Sequence, residues 1–439
     1  MIEKHLPKFL LIPFQRLKKS SVTPATSVPL QSRQKLLIAT QFYPPDYAAT
    51  GQLIAELATQ LSQLGFRIRI FTAQPGYAFQ KESAAQYEVT EETIIQRSRS
   101  SRFLPKRIRG RTINGLIFCV RTALHLIKFA RRQDTLLLTT EPPYLPFLGY
   151  LAHLCFGLSY VCVLYDLYPD VAVELQVVNQ NHILARFWDW CNRLTWKHAQ
   201  GIIVLSSTMK NRVAAKNPAI ADKIYAIPSW SDPIHIKPID KRHNWFAQKH
   251  NFTDRFTILY SGNLGRCHDM ETILATALDL KDDPVQFVFI GHGAKLQGCK
   301  DYVQQHQLNN CLFLPYQDKE VIPYSLTACD LSLVSISPGL EGLVAPSKLY
   351  GILAAARPVA AICEPHSYLR DLLKEARCGE CFDNGDRVGL ANYIRYLASQ
   401  PQLGKALGRS GRRYLLRNCT PEIIAQEYLK VLTSQTPLP

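Results

Sequence analysis

The chain has 439 residues, of which 47% are hydrophobic and 20% charged, and its formal net charge is +16. That length exceeds one ordinary core, and with few low-complexity tracts the composition suffices for two folded domains. The charge is uneven: residues 1–230 carry 28 Lys and Arg against 14 Asp and Glu, whereas residues 231–439 carry 23 against 21, so the first half is suited to an anionic partner.

Twelve cysteines are scattered, many of them in apolar runs (Cys119, Cys155, Cys162, Cys329, Cys363), and read as reduced core thiols, not a disulfide framework. Cys378 and Cys381 form the one tight pair, and no second pair with metal-ligand spacing accompanies it. Residues 1–34 form a basic N-terminal extension. Its short apolar run is broken by Pro7 and Pro13 and has no small-residue cleavage site, which argues against a signal peptide. A segment lying on a membrane surface and a disordered tail are both open readings of it.

A first domain over residues 35–227 opens with the apolar strand Lys35–Thr40, a loop, a helix over Gln52–Leu64 and a second strand over Phe66–Phe71. Gly51 stands at the helix start, where it would let a ligand's charged group approach the backbone N–H groups. The turn is not GxGxxG, so a dinucleotide site is not indicated. Residues 97–132 hold eleven Lys and Arg and no acid, interleaved with Ile113, Leu116, Ile117, Val120, Leu124, Ile127 and Phe129. This pattern fits a basic amphipathic helix in the headgroup region of an anionic bilayer, or a core-facing helix with a basic outer side. No recognised nucleic-acid module accompanies the charge, so nucleic acid is not expected as a partner. The apolar stretch Pro142–Leu164 approaches the length of a membrane span, but its prolines and Gly157 divide it into a loop, a helix and a strand. Strands at Thr135–Thr139, Tyr160–Tyr165, Gly201–Leu205 and Lys223–Ile227 alternate with helices, which implies a mostly parallel sheet covered on both faces.

Residues 228–254, rich in Pro, Asp, His and Lys, read as a linker, and the alternation restarts in a second domain over 255–439. Its strands are placed at Thr257–Gly262, Val285–Ile290, Cys311–Leu314, Leu331–Val334 and Val359–Ile362, and it ends in three helices. Within it, Ser335–Pro358 carries Glu341 on a Gly/Pro-punctuated loop, then enters a helix near Pro346 with Ser347 and Lys348 in its first turn. A strand handing over to a helix N-terminus is where open parallel sheets bind ligands, and helix N-termini favour phosphates.

Four stretches, Tyr260–Arg266 (YSGNLGR), Phe289–Gly293 (FIGHG), Leu314–Tyr316 (LPY) and the Glu341 stretch, fall in order in βα turns. Together they resemble the nucleotide-sugar glycosyltransferases of the GT-B class, α/β proteins with two doubly wound Rossmann-like domains facing a cleft. Within that class the chain is similar to family 4, the retaining enzymes, of the colanic-acid and O-antigen type, over about residues 35–435. The resemblance implies that Arg266 and Lys348 neutralise the donor diphosphate, with Gly262, Asn263 and Ser347 beside it. It also implies that Glu341 binds donor-sugar hydroxyls, that Gly291 and Gly293 line the nucleotide turn, and that Pro315 and Tyr316 edge the base. The two glycines also suit a tight turn with no ligand. The family's second Glu falls at Gly351 here, so ribose binding would be arranged otherwise.

In the first domain, Asp166 of the YDLYPD segment would contact the reacting sugar or acceptor, with Asp170 second, although Asp170 also suits a helix cap. His268 reads as a surface residue. No Asp-x-Asp occurs, so neither a metal nor another cofactor is expected. The implied function is transfer of a hexose or N-acetylated deoxyhexose from a nucleoside-diphosphate sugar to a lipid-linked or growing glycan. The implied place is the cytoplasmic face of the plasma membrane. A nucleotide-sugar 2-epimerase and a non-catalytic nucleotide-sugar-binding scaffold are the rival readings.

Overall fold

The computed structural model describes residues 34–46, 48–76, 84–90, 92–99 and 108–434. The expectations for the N-terminal extension, and for the basic residues between 100 and 107, lie outside the described residues. In the first half, strand β1 (Lys35–Ala39) leads through helix α1 (Ala49–Gln63) to β2 (Arg67–Thr72), followed by β3 (Tyr87–Val89) and β4 (Thr93–Arg97). Then come α2 (Ile108–Phe129), β5 (Thr135–Thr139), α3 (Phe147–Phe156), β6 (Ser159–Leu164), α4 (Asp170–Glu174) and α5 (Ile183–His198). The half closes with β7 (Gly201–Val204), α6 (Ser207–Lys216) and β8 (Ile224–Ala226).

These strands form one sheet in the order β3-β4-β2-β1-β5-β6-β7-β8, parallel throughout except for the β3–β4 edge pair. The central strands are buried on both faces, β5 along its whole length, which is why they are near-continuous apolar runs. The segment expected to split rather than span does so: Phe147–Phe156 is a helix ended by Gly157 at φ +66°, and Ser159–Leu164 is a core strand.

The second half opens with α7 (Trp245–Lys249), then runs β9 (Phe256–Ser261), α8 (Met270–Asp279), β10 (Val285–Ile290), α9 (Leu296–Gln305), β11 (Cys311–Leu314) and α10 (Ile322–Thr327). It continues through β12 (Leu331–Ser335), α11 (Lys348–Ala354), β13 (Val359–Ile362), α12 (Tyr368–Ala376) and β14 (Gly379–Phe382). The last three helices are α13 (Arg387–Ser399), α14 (Pro401–Asn418) and α15 (Pro421–Thr433). Its all-parallel sheet has the order β11-β10-β9-β12-β13-β14. The strand order reverses between β1 and β5 in the first sheet and between β9 and β12 in the second. Those are the points where a crevice opens at the carboxyl ends of the strands.

Two boundaries differ from the sequence expectation. Helix α7 falls inside the expected linker and is fastened to the second half. There Asn244 accepts from the N–H groups of Phe246 and Ala247 and donates to Tyr324 O and Thr327 Oγ1. Helix α15, expected in the second domain, returns to the first. It packs on α1, burying Ile424, Tyr428, Val431 and Leu432 in the same cluster as Leu53, Leu57 and Leu61. The Gln200 amide donates to the carbonyls of Val431, Leu432 and Ser434, and Trp230 meets Tyr428 edge-on at 6.3 Å.

Helix α2 also corrects one of the two readings of its pattern. Phe118, Cys119, Thr122, His125 and Leu126 face the protein, while Ile113, Leu116, Val120, Leu124 and Ile127 stand on the outside, 41–62% exposed. The apolar stripe named from the sequence is therefore mostly the solvent side, and the core-facing alternative fails for it. Thr112–Phe129 is long and apolar enough to cross a bilayer by length and composition, yet a third of it is buried against the protein.

Candidate active site

In the second half, the turn after β9 and the turn after β10 cross at backbone distance. Gly262 has φ +124° and Gly291 φ +138°, and a Cβ on Gly291 would fall 2.0 Å from the Gly262 carbonyl oxygen. A Cβ on Gly293 would fall 2.3 Å from the Leu264 carbonyl, so both glycines answer to a close approach of chain, beyond the needs of a tight turn. Under the crossing, Lys348 at the start of α11 points its Nζ at the face of buried Tyr260, 3.6 Å from the ring centroid. This buried ammonium makes no hydrogen bond, and burial drives its pKa well below the usual lysine range. A Cβ on Gly262 would lie 3.7 Å from that Nζ, so only hydrogen separates the turn from the cation. Arg266 stands exposed just after the same turn.

Beside the ammonium, His268 is not the surface residue expected. Its Nδ1 is 2.8 Å from the Ser335 carbonyl, so the ring donates through Nδ1 in its neutral form, and burial first, then the charge of Lys348, lowers its pKa to about 3. Ser347 precedes α11 without capping it, because it is already helical in φ and ψ. The α-helix starts at Lys348, two residues later than the proline-based expectation. Pro315 and Tyr316 are exposed at the end of β11, with the Tyr316 hydroxyl 3.4 Å from the His292 carbonyl. Asn263 is exposed in the same group. A side chain at Gly351 would begin 3.3 Å from Leu326 Cδ1, against an apolar neighbour.

Loop 336–347 carries Glu341 across to the first half. Its Oε1 accepts from Thr208 Oγ1 at 2.6 Å, its carbonyl accepts from Arg212 Nε at 2.7 Å, and its Oε2, also buried, has no partner. Leu167 N–H donates to Leu343 O, and a Cβ on Gly342 would meet the Thr208 carbonyl at 2.9 Å. The loop is therefore seated on the start of α6.

At the carboxyl edge of the first sheet, two acids converge. Asp166, just past β6, is half-buried, and loss of solvent raises its pKa to about 6; its charge adds to burial in pushing the Cys267 thiol of the second half up to about 11, which places Asp166 near that residue at the crevice. Glu141, just past β5, is enclosed. Its Oε1 accepts from Thr50 Oγ1 at 2.7 Å and its Oε2 is without a partner. Burial first, then the neighbouring Asp166 and Asp46, push Glu141 up to about 8, a protonated acid at neutral pH.

Two expected residues serve otherwise. Asp170 is the first residue of α4 and makes no cap. It is held by Lys216 at 2.6 Å, with the same ammonium 2.6 Å from Asp189. Gly51 sits in the first turn of α1, but a Cβ there would lie 2.9 Å from Phe42 C and Tyr43 N. The space it leaves is filled by the chain's own backbone, not left for a ligand. Sequence reasoning missed Thr208, Arg212, Glu141 and the half-buried, hydrogen-bonded state of His268. The Glu141-Pro142-Pro143 run at a strand end was the one available signal, since an acid directly after a buried strand seldom lacks a partner.

Two Rossmann-like sheets, with a buried cation under paired glycine turns on one and acids on the other, define the GT-B class of glycosyltransferases. The family profiles cover both halves: that of "Glycosyl transferase 4-like domain" matches residues 49–230, and that of "Glycosyl transferases group 1" matches residues 241–414. The chain belongs to the family 4 glycosyltransferases. It is 25% identical over 301 residues (68% of this chain, 73% of the relative) to WbjE of Pseudomonas aeruginosa, assigned as a glycosyltransferase. It is 25% identical over 355 residues (77% and 85%) to WcaI of Escherichia coli (strain K12), assigned as a colanic acid biosynthesis glycosyl transferase. Among solved structures, sucrose-phosphate synthase from Thermosynechococcus elongatus superposes with a TM-score of 0.72 at 16% identity, covering 91% of this chain and 98% of that one. HepE from Anabaena, solved with UDP and glucose, does so with a TM-score of 0.70 at 14% identity, covering 92% and 100%.

Proposed function

We propose that the protein transfers a hexose or N-acetylated deoxyhexose, with retention, from a nucleoside-diphosphate sugar to a lipid-linked or growing glycan of the cell surface. The observation that carries this is the buried, unpartnered Lys348 ammonium behind Gly262: a cation with no counterion, beneath a turn that only glycine can make, is suited to a diphosphate. Arg266 adds a second cation from the solvent side. Both stabilise charge that grows as the nucleoside diphosphate departs, so they act more on the transition state than on the ground state. The unpartnered Oε2 of Glu341 accepts donor-sugar hydroxyls, and Asp166 faces the sugar or acceptor from the other half. The bond from the anomeric carbon to the phosphate oxygen breaks, the bond to the acceptor oxygen forms on the same face, and the acceptor's proton passes to the leaving phosphate. This scheme leaves the diphosphate's charge to side chains and asks for no metal.

The exposed stripe of α2, with Arg121, Lys128, Arg131 and Arg132 on or beside it and no acid within the helix, suits docking on an anionic bilayer at the cytoplasmic face. The test is nucleoside-diphosphate release by purified protein from a panel of nucleoside-diphosphate sugars, with and without a bacterial polyprenyl-linked acceptor extract. Release that requires the extract and is lost in Glu341→Ala supports the transferase. Conversion of a donor without acceptor supports the 2-epimerase instead, and tight binding without turnover supports the scaffold.

A further inference from the structure

Two turns that each carry a carboxyl group stand side by side at the carboxyl edge of the first sheet. Strands β5 and β6 pair with Thr139 opposite Val163, so Glu141 and Asp166 leave neighbouring strands at nearly the same level. One side chain laces the two turns together. Thr140 Oγ1 accepts from the N–H groups of Tyr165 at 3.0 Å and of Asp166 at 3.5 Å. From the other side, Gln41 N–H donates to the Glu141 carbonyl at 2.9 Å, and Thr50 Oγ1 donates to Glu141 Oε1 at 2.7 Å. The place of the Glu141 carboxyl beside Asp166 is therefore set by the frame of β1, α1, β5 and β6.

The two acids differ in what they meet. Glu141 Oε2 is shut off from solvent and has no partner. The charges that act on it are both negative, Asp166 and Asp46. The phenols of Tyr168 and of Tyr165, whose buried hydroxyl is also unpartnered, face it as well. A carboxylate there holds a bare charge against two others, whereas a carboxylic acid at Oε2 is neutral and has an O–H to give. Asp166, half-buried beside Cys267 at the crevice, ionises first, near pH 6, and Glu141 only near pH 8. Between those values the two hold one proton and one negative charge, the division of labour that neighbouring carboxyls in unlike surroundings adopt.

We propose that Glu141 is the positioning residue of Asp166, the two forming a carboxyl pair that shares one proton, with Glu141 the neutral member behind and Asp166 the ionised member turned to the crevice. The shared proton limits the pair to a single negative charge facing the reacting sugar. A second charge, arriving when Glu141 ionises, repels Asp166 from its place. The pair stands on the geometry of the first sheet, and only its effect on turnover rests on the transferase reading.

Infrared difference spectroscopy on the whole protein tests the pair without substrate. At pH 7 the carbonyl band of a protonated carboxyl is expected, absent from Glu141→Gln, and in the unsubstituted protein it fades as pH rises through about 8. Asp166→Asn takes away the neighbouring charge, so the band then fades at a pH lower by roughly one unit. No such band, or one that Asp166→Asn leaves unmoved, overturns the pair. With a donor that turns over, kcat falls about tenfold per pH unit on the alkaline side, and in Glu141→Gln the fall begins at least about one unit higher. Circular dichroism at each pH restricts that comparison to folded protein. An alkaline limb that stays in place in Glu141→Gln overturns the positioning role. If no donor turns over, it is the transferase reading that falls, and the infrared result decides the pair by itself.

Discussion

Burial lowers the proton affinity of Lys348, whose Nζ has no hydrogen-bond partner. Its depressed pKa follows from burial alone, so on the proposed reading a diphosphate beside it would raise that pKa again and couple binding to proton uptake. On that reading the heat of nucleoside-diphosphate binding at alkaline pH is expected to vary with the ionisation enthalpy of the buffer, and Lys348→Met to abolish the variation. Glu141 gives the opposite signature, in stability. An acid whose folded pKa is raised to about 8 binds its proton more tightly folded than unfolded. It costs nothing below pH about 4.5, and its penalty grows as pH rises through that window to a ceiling on the order of 5 kcal/mol. Glu141→Gln, which keeps the contact with Thr50, is expected to match the unsubstituted protein in melting temperature at pH 5 and to exceed it at pH 8.5. Neither state was readable beforehand. Lysine in a PSK turn announces a phosphate by resemblance, but its lack of a counterion depends on Tyr260 and Gly262, which only folding brings beneath it.

The regular elements were largely legible, because strands buried on both faces are runs such as Leu-Leu-Leu in β5 and because helices alternate with them at fixed intervals. The edge pair β3–β4, the five-residue α4 and strand β14 (Gly-Glu-Cys-Phe) escaped, since short or polar segments leave no period to read. Helix α2 shows a deeper limit. Its outer and inner faces are both apolar, so periodicity identifies a helix without saying which side meets the protein. Where turns pack on turns, the element itself sets the residue. Gly291→Ala puts a methyl group into the Gly262 carbonyl at a φ of +138°, and is expected to destabilise the second half by roughly 2–4 kcal/mol in urea unfolding, through strain joined to the clash. Nucleoside-diphosphate binding, if it uses this turn as proposed, should fall with it, since the Gly262 turn must move.

At the scale of the whole chain, the last helix belongs to the first sheet although it follows the second. A helical pattern tells which face is apolar, never which sheet receives it, so this placement was beyond a linear reading. Ile424, Tyr428, Val431 and Leu432, all buried, together contribute roughly 6–12 kcal/mol of apolar transfer free energy. That rivals the whole stability of a domain. Removal of residues 421–439 is thus expected to expose the α1 face and to abolish folding of the first half, while the proposed nucleoside-diphosphate binding of the second half persists. Limited proteolysis with calorimetry on the fragment checks both.

That return has a mechanical consequence. The chain passes between the sheets at residues 228–240 and again near 419–420, and the two passages are stitched together where Ser231 N–H donates to the Cys419 carbonyl at 3.3 Å. A body hung on two pins swings about the line through them and resists twist and slide. Any relative movement of the two sheets is therefore expected to turn about this paired crossing, the Glu341–Thr208 contact parting and re-forming in one register.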